Sequence, residues 1–266
     1  MPEDDSRLLS VQQVTKRFGG LTALKDYNLV LEGGELLGLI GPNGAGKTTV
    51  FNLLSGVLHP TSGSIRFNGR DITTSRPHVN AALGIARTFQ NIRLFEELSV
   101  IDNVKTAYHM RHGKGLAPTL LQLPSWLRSE CEMEERAGQA LEIMGIARYR
   151  DELARNLPYG DQRKVELARA LATGPRLLLL DEPTAGLNPH ETGLMMETIA
   201  RIHREHRLTI FLVEHDMKVI MGVCEKIQVI DQGRTIALGD PDAIKNDARV
   251  IEAYLGRPKQ GGTRRA

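Results

Sequence analysis

One stretch restricts the fold of this chain more than any other: Gly41-Pro42-Asn43-Gly44-Ala45-Gly46-Lys47-Thr48-Thr49, set between the apolar run 36–40 and the apolar-periodic segment 50–57. The order it implies is strand, glycine loop, helix. Glycines let the backbone curl tightly, so successive N–H groups and the helix N-terminus converge on one concave anion site. A nucleotide's phosphates suit that site, with Lys47 reaching the outer phosphates as a point charge and the Thr48 hydroxyl available to Mg²⁺. Gly41, Gly46, Lys47 and Thr48 meet the full spacing in the required context, which is far more specific than a lone glycine motif.

The rest of the chain supplies a sheet for that loop. The continuous apolar runs 177–180, 208–213 and 227–230, alternating with a helix around 191–206, predict strands buried on both faces, as in a parallel sheet covered by helices. Residues 8–18 and 27–31 predict short strands, the latter joined to 36–40 across the turn Glu32-Gly33-Gly34. Residues 64–67 with Asn68-Gly69 read as a strand and hairpin turn, and 84–89 as a strand ending at Gln90. From Asn91 to about Asn156 the pattern turns helical, with Ser99 as N-cap of 100–112 and a charged, periodic segment at 129–144. This predicts a single domain over 1–256, its core built from 8–90 and 165–256 with an inserted helical subdomain at 91–164, followed by a basic, Gly-rich flexible tail at 257–266.

A chain of 266 residues, 41% apolar, suffices for such a domain, and a net charge of +2 gives no reason to expect bulk attraction to nucleic acid. Cys131 and Cys224 lack Cys-x-x-Cys spacing, so neither a disulfide framework nor a zinc site is expected, and both thiols are predicted buried or half-buried. Met1-Pro-Glu-Asp-Asp5 lacks the basic and apolar regions of a signal peptide, and no apolar run approaches a membrane span. The expectation is a cytosolic chain that meets a membrane only through partners. Segment 115–127, apolar but broken by two prolines, either packs on its own subdomain or faces a partner or membrane surface.

Two adjacent carboxylates, Asp181 and Glu182, end the four-leucine run 177–180, where idle charges would be costly. Alternation along a strand should aim them differently, one to hold Mg²⁺ and the other to address an attacking water. His215 follows another buried strand, so it belongs on the same sheet edge, where it donates to a terminal phosphate, orders the water, or is structural. Gln90 sits at the carboxyl end of an apolar strand, the edge at which open parallel sheets bind ligands, or is a loop residue. Phe18, just before Gly19-Gly20, either lies on a nucleotide base or belongs to the core. The pairs His203/His206 and His109/His112 lie in charged segments and are read as solvated.

Together these segments resemble the nucleotide-binding subunits of ATP-binding cassette transporters, over nearly the whole chain from Leu8 to about Gly256. Leu157-Pro-Tyr-Gly-Asp-Gln-Arg163 occupies the place of the family's Leu-Ser-Gly-Gly-Gln signature, with Pro158 for Ser, Tyr159 for the first Gly and Asp161 for Gln, and Asp161 as a candidate cap of the following helix, 164–172. A Leu-Pro-Tyr-Gly signature, the segment Ala86-Arg-Thr-Phe-Gln-Asn-Ile-Arg-Leu-Phe95 and the loop Ala185-Gly-Leu-Asn-Pro189 are similar to those of branched-chain amino acid importers, and the long helical insert to the larger of their two ATPase subunits.

The resemblance implies an α/β fold: a P-loop NTPase core with a mostly parallel sheet, an N-terminal antiparallel β subdomain and an inserted helical subdomain. It implies a Mg²⁺-dependent ATPase at the inner face of the cell membrane, paired head to tail with a second ATPase subunit, a paralogue or a copy of itself. Two ATP molecules would lie between the pair, which would drive transmembrane permease subunits served by a substrate-binding protein. Carried over by position, Phe18 stacks on adenine, Gly41 to Thr49 hold the phosphates, and Gly160 serves the neighbour's nucleotide. Thr48, Gln90 and Asp181 attend Mg²⁺, Glu182 is the general base, and Lys47, Gln90 and His215 address the γ-phosphate. Asn188 stands where the family usually has Asp. Other readings are a related transporter ATPase (urea, another amino acid, lipopolysaccharide export), a soluble cassette protein of translation or DNA repair, and a small-molecule kinase. The kinase reading leaves the signature and His215 without roles.

Overall fold

The computed structural model describes residues 7–88, 90, 92–112 and 124–255. Residues 115–123 of the proline-broken segment, Phe89, the tail 257–266 and the side chains of His109 and His112 lie outside the described residues.

The chain opens with an antiparallel sheet in the order β2-β1-β4-β5, formed by β1 (Arg7–Phe18), β2 (Leu21–Glu32), β4 (Ser62–Phe67) and β5 (Arg70–Asp71). The hairpin at Asn68-Gly69 forms as its sequence predicts, both residues having positive φ (49° and 74°), the requirement of the tight turn whose twist matches its strands. The strand predicted at 27–31 is longer and begins at Leu21.

The second sheet has the order β10-β9-β3-β8-β7-β6: β3 (Leu36–Ile40), β6 (Ile85–Arg87), β7 (Leu177–Asp181), β8 (Thr209–Val213), β9 (Lys226–Asp231) and β10 (Arg234–Gly239). All pairs are parallel except β9 with β10. Every residue of β3, β7 and β8 is buried, which is why these strands read as unbroken apolar runs. Alternation along each strand then sorts the side chains into two cores. Leu36, Ile40, Leu178, Leu180, Ile210 and Leu212 face one side with the helices, while Leu37, Leu39, Leu177, Leu179, Phe211 and Val213 face the other with α1 (Lys47–Leu54) and the antiparallel sheet. On that side Phe51 of α1 stacks on Phe211, ring centroids 5.3 Å apart.

One buried polar link joins the sheets. The Tyr27 hydroxyl donates to Gln228 Oε1 at 2.6 Å, and Gln228 Nε2 donates to the Asn28 carbonyl (2.9 Å) and to Thr235 Oγ1 (3.2 Å). Each polar atom taken out of water thus finds a partner.

After α2 (Pro77–Leu83) and β6 come α3 (Val100–His112), α4 (Pro124–Ile143) and α5 (Tyr159–Ala172), which bury Val100, Val104, Ala137, Leu141, Val165 and Ala168 together. Ser99 caps α3 as expected, its Oγ accepting from the Asp102 N–H at 3.2 Å. α5 starts at Tyr159, five residues ahead of its sequence-predicted start, and runs unbroken through residues 164 and 165. The Pro158 carbonyl accepts from the N–H groups of Asp161 and Gln162, both at 3.0 Å, so the Gly160 turn is helical although Pro and Gly read as loop. Asp161 is therefore inside the first turn, pairs with Lys164 Nζ at 2.9 Å, and makes no cap.

Helix α6 (Pro189–His206) begins with a capping box, the Asn188 Oδ1 accepting from the Glu191 N–H and Glu191 Oε2 from the Asn188 N–H, each at 3.0 Å. His203 corrects a sequence reading: it is buried, because it falls on the α6 stripe with Met195, Met196, Ile199 and Ile202, and its Nδ1 lies 2.9 Å from the Leu208 carbonyl. Cys131 is a second correction: it is exposed, since the inner face of α4 is taken by Met133, Ala137, Ala140 and Leu141, while Cys224 is buried. The chain continues through α7 (Met217–Met221), α8 (Pro241–Asn246) and α9 (Ala248–Leu255). Among the described residues no helix is long and apolar enough to cross a membrane.

Replacing Tyr27 by Phe keeps the packing but strands Gln228 Oε1 in a dry interior. The expected cost is about 1–3 kcal/mol, the penalty of an unsatisfied buried group. It is read as a lower urea midpoint at unchanged slope, and an unchanged midpoint would show that the link contributes nothing.

Candidate functional site

The glycine loop leaves β3 and turns directly into α1. At Gly41 a Cβ would lie 2.1 Å from the Ile230 carbonyl oxygen, and at Gly46, where φ is +110°, 2.8 Å from that of Ala23. The loop therefore passes against β9 and β2 where only glycine fits. Gly46 is also the N-cap of α1 and has no side chain to offer the first helical N–H groups, which leaves them to an anion from elsewhere. Thr48 is exposed and Thr49 half-buried in the first turn.

Lys47 is 8% exposed, and its Nζ donates to the carbonyls of Gly41 (2.6 Å) and Pro42 (3.1 Å). Burial lowers the lysine's pKa, and the charges of Glu182 and Asp181 offset this. The ammonium is held by the loop and feels the charge of the acid pair.

Asp181 ends β7 opposite Val213 of β8, and its Oδ2 accepts from Arg87 Nη2 at 2.9 Å. Arg87, on β6, also donates through Nη1 to Asn52 Oδ1 (2.7 Å) and Ser55 Oγ (3.1 Å) of α1 and the turn after it. Glu182 lies past the strand end with φ +49°, its N–H donating to the Val213 carbonyl at 2.9 Å. The two carboxylates take different partners, Asp181 on Arg87 and Glu182 past the strand end, where the chain enters the left-handed region. Gln90, exposed and two residues beyond the last β6-side pairing at Thr88, donates from Nε2 to Glu182 Oε2 at 2.9 Å.

His215 follows β8 on the same edge, its side chain 62% exposed, with Nδ1 3.7 Å from Glu214 Oε2. Phe18 is exposed with Lys16 Nζ 5.1 Å from its ring centroid, so of its two readings the core one is overturned. Gly160 is buried in the first turn of α5, where a Cβ would meet Glu191 Oε1 at 3.2 Å. Hydrogen bonds join Lys47 to Gly41 and Gln90 to Glu182, and Asp181 to Arg87, with the acid pair near enough to Lys47 to act on its charge; Gly160 lies apart, beside Glu191.

A separate cluster centres on Arg163, buried in α5. Its Nη2 donates to the Gln90 carbonyl (2.5 Å), the Tyr159 hydroxyl (3.0 Å) and the Ala185 carbonyl (3.4 Å). The Tyr159 ring fills the space beside Gly186, 3.0 Å from where a Cβ would stand. Sequence reasoning missed Arg163, Arg87, Thr184 and Glu214. For Glu214 a signal existed: it is an acid directly after a buried apolar strand, the same pattern that marked Asp181. The partners of Arg87 and Arg163 are 22 to 94 residues away in sequence for the most part, with no local sign.

Residues 24–185 match the family model described as "ABC transporter", and residues 234–259 the model described as "Branched-chain amino acid ATP-binding cassette transporter". The chain is 47% identical to the high-affinity branched-chain amino acid transport ATP-binding protein LivG of Escherichia coli (strain K12), covering 94% of this chain and 98% of that protein. It is 44% identical, at the same coverage, to the high-affinity branched-chain amino acid transport ATP-binding protein BraF of Pseudomonas aeruginosa. Among solved structures it is similar to the ADP conformation of MJ1267, an ATP-binding cassette of an ABC transporter, with a TM-score of 0.82, 29% identity, and coverage of 94% of this chain and 99% of that one.

Replacing Gly41 by Ala forces the loop away from Ile230. Affinity for ATP, measured by equilibrium dialysis, is expected to fall at least about tenfold, the equivalent of one lost hydrogen bond. Unchanged affinity in the folded variant would show that the close approach is dispensable.

Proposed function

This chain belongs to the ABC transporter family, and we propose that within it the protein is the ATP-hydrolysing, energy-coupling subunit of an importer for branched-chain amino acids. The observation that carries the chemistry is the meeting, at the carboxyl ends of β3, β7 and β8, of a glycine loop that holds Lys47 with an acid pair held by Arg87 and Gln90, whose charge acts on that lysine. The match at residues 234–259 and the names of the two relatives support the cargo.

In this reading the backbone of Gly41 to Thr49 cradles the phosphates. Lys47 exchanges its loop carbonyls for phosphate oxygens as the nucleotide enters. The Thr48 hydroxyl, the Gln90 amide oxygen and the Asp181 carboxylate form an all-oxygen donor set, which fits Mg²⁺. When bound, Mg²⁺ neutralises charge on the phosphates as it builds up. Glu182 is the general base: half-buried and oriented by Gln90, it accepts a proton from water that attacks the γ-phosphate. His215, exposed on the same edge, donates to the γ-phosphate, and Phe18 offers its free ring face to adenine.

The first turn of α5, with Gly160 and the exposed Tyr159, presents helix N–H groups to the nucleotide of a second ATPase subunit, a paralogue or another copy. Gln90 bonds Glu182 through its side chain and Arg163 through its carbonyl, so a permease subunit pressing on that segment at the inner membrane face reaches the base directly. A substrate-binding protein delivers the amino acid to the permease.

Glu182→Gln is expected to keep ATP affinity and lower turnover about 10²- to 10⁴-fold, the range for a lost general base; unchanged turnover would remove that assignment. Lys47→Ala is expected instead to weaken ATP binding, read by the same dialysis. Uptake of labelled leucine by cells depleted of the chain should be restored by the native protein and not by Glu182→Gln. Uptake that persists after depletion would leave the ATPase in place and move the cargo to another solute.

A further inference from the structure

Glu214 is completely buried, and the mechanism above does not use it. Its Oε1 accepts from the Thr184 hydroxyl at 2.6 Å and from the Thr184 N–H at 3.1 Å, which ties the end of β8 to the loop that carries Glu182. Its Oε2 has no hydrogen-bond partner among the described residues, although it is shut off from water. The nearest charged or titratable group across from that oxygen is His215 Nδ1 at 3.7 Å, on a ring that is otherwise mostly in solvent. A dry carboxylate oxygen without a partner is costly, and here it stands about half an ångström beyond hydrogen-bond reach of an exposed ring that can swing toward it.

We propose that Glu214 is a positioning residue for His215: Oε1 anchors the Thr184 loop, and Oε2 takes Nδ1 of the imidazole, so that Nε2 carries the proton offered to the terminal phosphate. This rests on the reading of His215 as a phosphate contact.

The proton count supports it. With two protons shared by the pair, either a carboxylate faces an imidazolium or a neutral carboxyl donates to a neutral ring; in both, Nε2 keeps its hydrogen. With one proton, the carboxylate draws the ring's hydrogen to Nδ1 and Nε2 becomes an acceptor, the wrong polarity for phosphate. Burial pushes the Glu214 carboxyl up, and the Thr184 hydrogen bonds and His215 draw it back down. Apart from His215, the titratable group near Glu214 is Cys224, in the turn before β9, whose thiol burial and the charges of Glu225 and Glu214 push up. The two-proton pair is the form that offers Nε2–H to the phosphate, so in this proposal turnover should decline as alkaline pH removes the pair's second proton.

The test is ATP turnover of the full-length chain from mildly acidic to alkaline pH. In Glu214→Gln the amide oxygen still accepts from Thr184 and the amide N–H donates permanently to Nδ1, so the proton stays on Nε2. The alkaline limb of kcat is expected to move up by about one unit or more. In Glu214→Met, kcat should fall at least about tenfold with KM for ATP little changed, since an oriented donor and not a binding contact is lost. Thr184→Val, which loses only the hydroxyl half of the anchor, should leave the limb where it is. If His215→Ala leaves turnover untouched, the reading of His215 fails. If His215→Ala lowers turnover yet Glu214→Gln keeps the native limb, Glu214 only holds Thr184 and the proposal is overturned. Should Glu214→Met fail to fold, the near-isosteric Gln variant still decides.

Discussion

Asp181 and Glu182 leave a strand whose five residues are all buried, and two negative charges at that exit would cost several kcal/mol without compensation. The surrounding architecture brings the compensation from elsewhere in the chain. Arg87 arrives on the neighbouring strand β6 and bonds Asp181, while Lys47 arrives from the first turn of α1. Because Arg87 also donates to Asn52 and Ser55, the acid pair and the helix that receives phosphate are set in one frame. The glycine loop can then run close to β9 and β2 without filling the space its ligand needs.

Much of this was legible in the sequence for specific reasons. The strands around the site are buried on both faces, so they show as apolar runs, and the loop between 36–40 and 50–57 has a spacing that few other structures require. The acid pair was conspicuous because charges seldom follow four leucines. What stayed hidden depends on contacts distant in sequence. Arg87 looks like any strand-end arginine until Asp181, 94 residues on, is placed beside it. His203 sits among Arg and Glu in the sequence and is buried only because the α6 stripe rotates it inward. The start of α5 was hidden by Pro158 and Gly160, which locally signal a loop but here open a helix whose glycine lies close beside Glu191 of the α6 capping box.

The departures from the usual signature acquire a physical sense in Tyr159 and Arg163. A bulky ring in place of glycine covers the backbone at Gly186, and its hydroxyl meets the same guanidinium that holds the carbonyls of Gln90 and Ala185. Three segments that differ in role thus share one buried cation. The helical layer is thereby joined to the loop beyond Glu182 through hydrogen bonds and not through packing alone.

β6 has a consequence of another kind. It is three residues long and forms the outer edge of the six-stranded sheet, with Arg87 turned inward upon it. Open sheet edges invite strands of other molecules, and proteins blunt them with short strands and inward charges. A three-residue edge strand whose arginine turns inward to Asp181 is of the kind that discourages pairing with strands of other molecules.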